Sequence, residues 1–185
     1  MGPTTSTSTI TPSTDPGTTS VLSDEAAGGR LAVEHLLDLG LQRIAHITGR
    51  RGHHSAAVRA EAVERAVVDG GATFAGPVRY GEWSEVWGRQ AVSALMRRDP
   101  DVDAVVCGSD QIARGACDGL RELGISVPGR VAVVGFDNWD AIALASRPPL
   151  TTVDLRLEAL GRLGAELLLE AVAGRSQPGT TWLVG

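Results

Sequence analysis

Apolar residues follow two different spacings along this chain. Short runs rich in apolar and β-branched residues, such as Arg43–Thr48, Ala104–Cys107 and residues 131–134, predict short strands. Between these runs, apolar residues recur every three or four positions, which predicts helices. The predicted helices run from Asp24 to Gly40, from His54 to Val68, from Ser84 or Glu82 past Leu95, from Asp110 to Leu123 and from Leu157 to Val172; weaker strands are predicted at 78–80, 150–153 and 181–184.

The alternation of strands with single helices predicts the fold class. Strands joined by one helix usually pair in parallel, through right-handed crossovers. We therefore expect an α/β fold with a parallel sheet flanked by helices. The carboxyl ends of its strands should meet at one edge, which is where open α/β folds bind ligands.

Residues 1–20 differ in composition from the rest of the chain. Thr and Ser dominate this stretch, with Pro3, Pro12 and Pro16 among them and almost no apolar residue. Such a segment cannot bury enough surface to offset its ordering entropy. We therefore expect a disordered tail over 1–20 and a single folded domain over 21–185. The tail lacks the basic start and apolar middle of a signal peptide, so a cytoplasmic location is expected.

Polar side chains cluster where the predicted strands end. Carboxylates and guanidinium groups bind vicinal hydroxyls well, and an indole ring can cover the apolar face of a sugar. These positions therefore favour a polyhydroxyl ligand, although each residue also has a local explanation. Asp24 and Asp110 can serve as helix caps, Trp83 as a core or surface aromatic, Arg59 as a solvated helix residue, and Asp137 and Asn138 as turn residues.

The charge balance argues against a nucleic-acid-binding domain. The net charge is −5, the pI is about 5.3, and all 17 basic residues are Arg, with no Lys in the chain. A domain that binds nucleic acid by itself should present a basic face. The two cysteines, Cys107 and Cys117, lie among apolar residues and are expected to be buried thiols. The sequence contains no apolar run of the roughly 20 residues that a membrane helix needs.

Several enzyme and cofactor patterns are absent. A receiver domain and a P-loop each require a Lys. The glycines Gly28 and Gly29 fall inside a predicted helix rather than in a dinucleotide-binding turn. The adjacent His53 and His54 cannot both face one metal from a helix, and Cys107 lies in an apolar strand. We expect no metal, no cofactor and no catalysis, with an α/β enzyme kept as an alternative because such folds host many chemistries.

A series of motifs over residues 21–185 resembles the effector-binding domain of the LacI/GalR family of sugar-responsive repressors. The most specific is the stretch 131–154, in which VAVVGFDN, a short helix and PPLTTV follow one another. The resemblance implies one lobe of a periplasmic-binding-protein-like type I fold plus an orphaned crossover helix. Other motifs in family order are Asp24 with Gly28, AVEHL at 32–36, RIA at 43–45, Arg59, GEWS at 81–84, DAV at 103–105, SDQ at 109–111 and VP at 127–128.

The same resemblance implies a sugar as the small-molecule effector. Its contacts would be Arg59, Trp83, Ser109 and Asp137, with Arg59 and Asp137 holding hydroxyls and Trp83 stacking on the ring. Ser109 stands where the family usually has Asn, and Asn138 where a second Asp is common. These departures leave the identity of the effector open.

The implied function is effector sensing within a DNA-binding transcriptional regulator. The helix-turn-helix headpiece and the first lobe of the family are not in this sequence, so we expect a truncated sensor that makes no direct DNA contact. The resemblance also implies a homodimer through two segments, from Gln111 to Leu120 and from Asp140 to Leu144. The helix from Leu157 to Val172 is expected to lack partner strands. A stand-alone or transport-linked sugar-binding protein of the same fold is the alternative.

Overall fold

The computed structural model describes residues 17–175 and 178–183. Residues 1–16, which make up most of the predicted tail, lie outside the described residues. In chain order the elements are β1 (Thr19–Ser23), α1 (Glu25–Asp38), β2 (Arg43–Thr48), α2 (His54–Asp69), β3 (Thr73–Phe74), β4 (Arg79–Tyr80), α3 (Glu85–Arg98), β5 (Ala104–Cys107), α4 (Asp110–Glu122), β6 (Ala132–Phe136), α5 (Asp140–Ala143), β7 (Thr151–Val153), α6 (Leu157–Val172) and β8 (Gly179–Leu183).

The main sheet is parallel, as predicted. Its strand order is β3-β2-β5-β6-β7, and β4 pairs with the carboxyl end of β2. All residues of β5 and β6 are buried, because helices cover both faces of the sheet. This explains why these strands are continuous apolar runs rather than alternating patterns.

Helices form a layer on each face of the sheet. On one face, α1 and α2 pack over a core that includes Leu36, Val63 and Phe136. On the other face, α3 and α4 pack over a core that includes Leu95 and Leu120. The strand ends between these layers define one polar edge.

The helices α3 and α4 touch through their backbones. A Cβ atom added to Gly115 of α4 would lie 1.9 Å from the carbonyl oxygen of Glu85, and one added to Gly88 of α3 would lie 2.1 Å from that of Ile112. Neither position has room for a side chain. This seam holds the amino end of α4 in place at the polar edge.

A second, two-stranded sheet corrects two of the predictions. The strand β1 includes Thr19 and Ser20, so these two residues belong to the folded part and not to the predicted tail. It pairs in parallel with β8, from Thr19 with Gly179 to Ser23 with Leu183. The helix α6 contacts β1, so the prediction that it has no partner strands is wrong. Local composition gave no sign of this pairing because its two strands lie far apart in the sequence.

The helix α6 is nevertheless poorly covered. None of its residues is fully buried, and Leu160, Leu163 and Leu167 are only half-buried. On its other side, Leu168 and Val172 are 53% and 81% exposed. In the part of the chain that the structure describes, no helix is long and apolar enough to cross a membrane.

Candidate functional site

The polar edge is formed where β2, β5 and β6 end. The sequence-predicted residues Arg59, Trp83, Ser109 and Asp137 all come to this edge, although they are contributed by different connections of the sheet. Arg59 comes from α2, which follows β2, Ser109 follows β5 and Asp137 follows β6. Parallel strands bring these distant positions together because all their carboxyl ends point the same way.

Arg59 is buried in the centre of the edge and is 4% exposed. Its Nε donates to Oε2 of Glu25 at 2.5 Å, and its Nη1 donates to the carbonyl oxygen of Gly108. The same Nη1 lies 3.8 Å from Oδ1 of Asp137. Glu25 is itself only 6% exposed, so the two side chains form a buried ion pair. The alternative explanation, that Arg59 is only a solvated helix residue, therefore does not hold; its role in ligand binding stays a prediction.

Two aromatic rings flank the guanidinium. The Cζ atom of Arg59 lies 4.5 Å from the centroid of the Phe136 ring and 6.0 Å from that of Trp83. A cation at these distances is attracted to the ring faces. The rings also restrict the guanidinium plane, so the donors of Arg59 keep a defined direction.

Trp83 is half-buried, and its ring contacts neighbouring residues of the chain. Its Nε1 donates to Nδ1 of His53 at 2.8 Å, and the two rings stack with centroids 6.1 Å apart. The indole also lies against Gly49, where a Cβ atom would come within 1.9 Å of the ring. Gly49 at the end of β2 therefore allows the indole to reach the edge.

Ser109 has the capping role that the sequence suggested for Asp110. Ser109 is the N-cap of α4: its Oγ accepts from the backbone N–H of Ile112 at 3.3 Å. Asp110 was expected to cap this helix but is instead its first residue. The Ser109 hydroxyl proton is still available as a donor, because capping uses only a lone pair of the oxygen.

Asp110, at the start of α4, forms hydrogen bonds to β7 and to the loop after β6. Its Oδ1 accepts from Oγ1 of Thr152 at 2.5 Å, and its Oδ2 accepts from the backbone N–H of Trp139 at 2.8 Å. The residue is 1% exposed. Burial raises the pKa of Asp110, while these two hydrogen bonds oppose the rise. The carboxylate thus fixes the loop after β6 against α4 and β7.

Asp137 is the carboxylate that faces solvent, and its side chain is 30% exposed. Burial raises its pKa to about 7; Arg59 opposes this rise, whereas the carboxylates of Asp110 and Glu25 add to it. Its backbone N–H donates to the carbonyl oxygen of Val153 at 3.0 Å. Asp137 and Asn138 have φ values of 107° and 52°, which Asp and Asn tolerate better than most residues.

Three site residues were missed in the sequence: Glu25, Thr152 and His53. Glu25 follows the N-cap Asp24, whose Oδ1 accepts from the N–H of Ala27 at 2.7 Å, so its only local signal was that of an acidic residue in a first helical turn. Nothing local shows that Glu25 is buried and paired with a residue 34 positions later.

The side chains at this edge can form hydrogen bonds and stack on a ring. They offer guanidinium and hydroxyl donors, a carboxylate acceptor and an indole face. Burial raises the pKa of the Cys107 thiol well above its ordinary value, which keeps it protonated. Among the described residues, no group of three or more His, Cys, Asp or Glu side chains is arranged to hold a metal ion.

Comparisons with known proteins place this architecture among regulators. Residues 33–184 match a family model described as a periplasmic binding protein-like domain. The HTH-type transcriptional regulator CelR of Thermobifida fusca is 35% identical over 154 residues, which are 83% of this chain and 45% of that protein. MalR of Streptomyces coelicolor is 38% identical over 160 residues, which are 84% of this chain and 46% of that protein.

A solved complex of the transcriptional regulator CelR with cellobiose has the same fold. It superposes with a TM-score of 0.82 at 34% identity, over 89% of this chain and 50% of the other. The chain therefore spans about half the length of the curated relatives it matches.

Proposed function

Because this chain belongs to the family of periplasmic binding protein-like domains, in the form found in LacI/GalR-type regulators, we propose that it is the effector-sensing part of such a regulator. The proposed effector is a sugar, as in the CelR–cellobiose complex. CelR and MalR are transcriptional regulators, which supports a sensing role rather than catalysis.

The observation that carries this proposal is the grouping of Arg59, Asp137 and Trp83 at one edge. Nη1 of Arg59 lies 3.8 Å from Oδ1 of Asp137, and the indole flanks the same guanidinium. A donor beside an acceptor matches two neighbouring hydroxyls of a sugar, and the indole matches its apolar ring face. Ser109 would add the proton of its hydroxyl as a fourth contact.

In the complete regulator, we propose that sugar binding changes the population of two conformations that differ in affinity for DNA. This chain makes no direct DNA contact in that scheme, because it is acidic, with a net charge of −5. We propose a cytoplasmic protein that dimerises through the segments from Gln111 to Leu120 and from Asp140 to Leu144. Trp139 and Leu144, which are 56% and 63% exposed, support an interface at the second segment.

The test is a titration of the purified chain with cellobiose, followed by tryptophan fluorescence. We expect binding in the millimolar range, about −4 kcal/mol, because this open edge encloses little of a ligand. Asp137→Ala should abolish the fluorescence change. Trp83→Phe should remove most of the signal, because the Trp83 ring flanks the Arg59 guanidinium, with its centroid 6.0 Å from the Cζ atom.

The matched control is Asp101→Ala, which removes an exposed carboxylate before β5 at the opposite end of that strand. It should bind cellobiose as the natural chain does. Equal binding by the Asp137→Ala variant would contradict the assigned site. Should cellobiose produce no change, a panel of other uncharged mono- and disaccharides extends the test, and a uniformly negative panel would contradict the proposed function.

A further inference from the structure

The guanidinium of Arg59 is already neutralised within the site. Glu25 Oε2 lies 2.5 Å from its Nε, and neither side chain is more than 6% exposed. Breaking a buried ion pair leaves an uncompensated charge in a medium of low dielectric. Glu25 therefore remains paired when a ligand arrives, and the ligand meets a guanidinium whose charge is balanced.

Further negative charge surrounds this pair. Asp137 lies 3.8 Å from Nη1 of Arg59, and Asp110 is close enough for its charge to affect both Asp137 and Arg59. One guanidinium thus faces three carboxylates. A phosphorylated ligand placed beside Arg59 would add a fourth negative group where water cannot screen it well.

An uncharged polyol meets no such penalty. Its hydroxyls can donate to the Asp137 carboxylate and accept from the guanidinium. Among the described residues, Nη2 of Arg59 makes no hydrogen bond, so it can donate to such a ligand. Donors and acceptors can then be satisfied together without adding charge.

We propose that Glu25 determines the charge class of the effector: by neutralising Arg59, it admits uncharged polyhydroxyl ligands and excludes phosphorylated ones. This inference rests on the proposed function for the identity of the site, but it concerns a different residue and a different property. Glu25 acts through Arg59 and is a positioning and specificity residue, not itself a ligand contact.

The experiment uses Glu25→Gln, which keeps the shape and removes the charge. The probes are inorganic phosphate, glucose 6-phosphate and cellobiose, each at matched ionic strength, with melting temperature and tryptophan fluorescence as readouts. The natural chain should show no phosphate-specific response. The Glu25→Gln variant should bind phosphate and glucose 6-phosphate at least tenfold more tightly than the natural chain does.

The pH dependence gives an independent signature. Asp137 faces Arg59 of α2, Asp110 of α4 and Glu25 of α1, and its pKa is about 7. In Glu25→Gln this pKa falls because one of the carboxylates that raise it is gone, but burial and Asp110 still raise it, so Asp137 loses its proton as pH rises from 6 to 8. Phosphate binding by Glu25→Gln should therefore be stronger at pH 6 than at pH 8, which is opposite to the change in the charge of phosphate itself.

The matched control is Glu82→Gln. Glu82 also neutralises an arginine, Arg50, but both of these side chains are about 60% exposed. Loss of this surface carboxylate should leave phosphate binding unchanged. An equal gain by Glu82→Gln would show that any freed arginine attracts phosphate, and would overturn the proposal.

The remaining outcomes separate this inference from the proposed function. A gain of phosphate binding by Glu25→Gln without any cellobiose binding by the natural chain would refute the sugar effector and retain the charge selection. Phosphate binding by the natural chain as tight as that of a folded Glu25→Gln variant would refute the charge selection. If circular dichroism shows Glu25→Gln unfolded, Asp137→Asn removes another carboxylate beside Arg59, and its failure to gain phosphate binding would overturn the proposal.

Discussion

The substitution Gly115→Ala should destabilise the fold by forcing α3 and α4 apart. The new methyl group would lie 1.9 Å from the carbonyl oxygen of Glu85 and 2.6 Å from its carbonyl carbon. Real Cβ atoms essentially never approach other atoms within 3.0 Å, so the two backbones must separate by about 1 Å. No side-chain rotation can relieve this contact, because the atoms of Glu85 belong to its backbone.

The expected magnitude follows from two opposing effects. Overpacking a closely packed seam costs about 1–3 kcal/mol, occasionally more. Replacing Gly by Ala within a helix recovers about 0.5–1 kcal/mol of backbone entropy. We expect a net loss of about 1–2 kcal/mol in the free energy of unfolding. In a chain of this length, each kcal/mol lowers the melting temperature by roughly 2–4 °C.

Urea unfolding followed by circular dichroism measures this loss. Gly161→Ala is the matched control, because Gly161 lies within α6 and a Cβ atom there would meet nothing within 4 Å. It should gain about 0.5–1 kcal/mol from helix propensity alone. A Gly115→Ala variant as stable as the natural chain, or an equal loss in Gly161→Ala, would refute the packing argument. Because α4 begins beside Ser109, Gly115→Ala should also weaken sugar binding.

Two further predictions concern pH and association. Since the folded-state pKa of Asp137 is raised to about 7, the folded chain keeps a proton that the unfolded chain has lost between about pH 4 and pH 7. The stability of the natural chain relative to Asp137→Asn should therefore fall as pH rises through that window, and a flat difference would contradict the raised pKa. The exposed apolar side of α6 should make the chain self-associate at micromolar concentration, because Leu168 and Leu169 are 53% and 68% exposed. In sedimentation, Leu168→Glu with Leu169→Glu should be more monodisperse than the natural chain, and a monodisperse natural chain would contradict this prediction.

Much of the fold was predictable because its signals are local. The strands Arg43–Thr48 and Ala104–Cys107 and the helix Leu157–Val172 have the predicted bounds. Apolar spacing and flanking glycines are properties of neighbouring residues, so a single sequence reveals them. Parallel pairing then follows from the alternation of strands with helices.

The errors lie where distant residues decide the structure. Thr19 and Ser20 look like part of the polar tail, yet they begin the strand that pairs with β8 from the other end of the described chain. Ser109 and Asp110 are about equally good helix caps, so the sequence does not decide between them; Ser109 caps α4, and Asp110 is held by Thr152 and the N–H of Trp139. Tertiary contacts of this kind override local preference.

The site residues, too, were predictable only where local sequence and strand order decide their position. The convergence of Arg59 and Asp137 was predictable, since they follow β2 and β6, which both pair with β5 in a parallel sheet. The ligand contacts themselves stay a prediction. Glu25 could not be assigned from the sequence, because its importance depends on burial and on a partner in another helix.

The hydrogen bond between Asp110 and the loop after β6 affects the entropy of ligand binding. The loop is fixed at both ends, by the N–H of Asp137 on Val153 and by the N–H of Trp139 on Asp110. Its left-handed residues, Asp137 and Asn138, are thus ordered before any ligand arrives. The conformational entropy of this corner is lost during folding rather than during binding, so calorimetry should find little entropic penalty from the loop. Thr152→Val, which removes one anchor of Asp110, should transfer part of that penalty to the binding step.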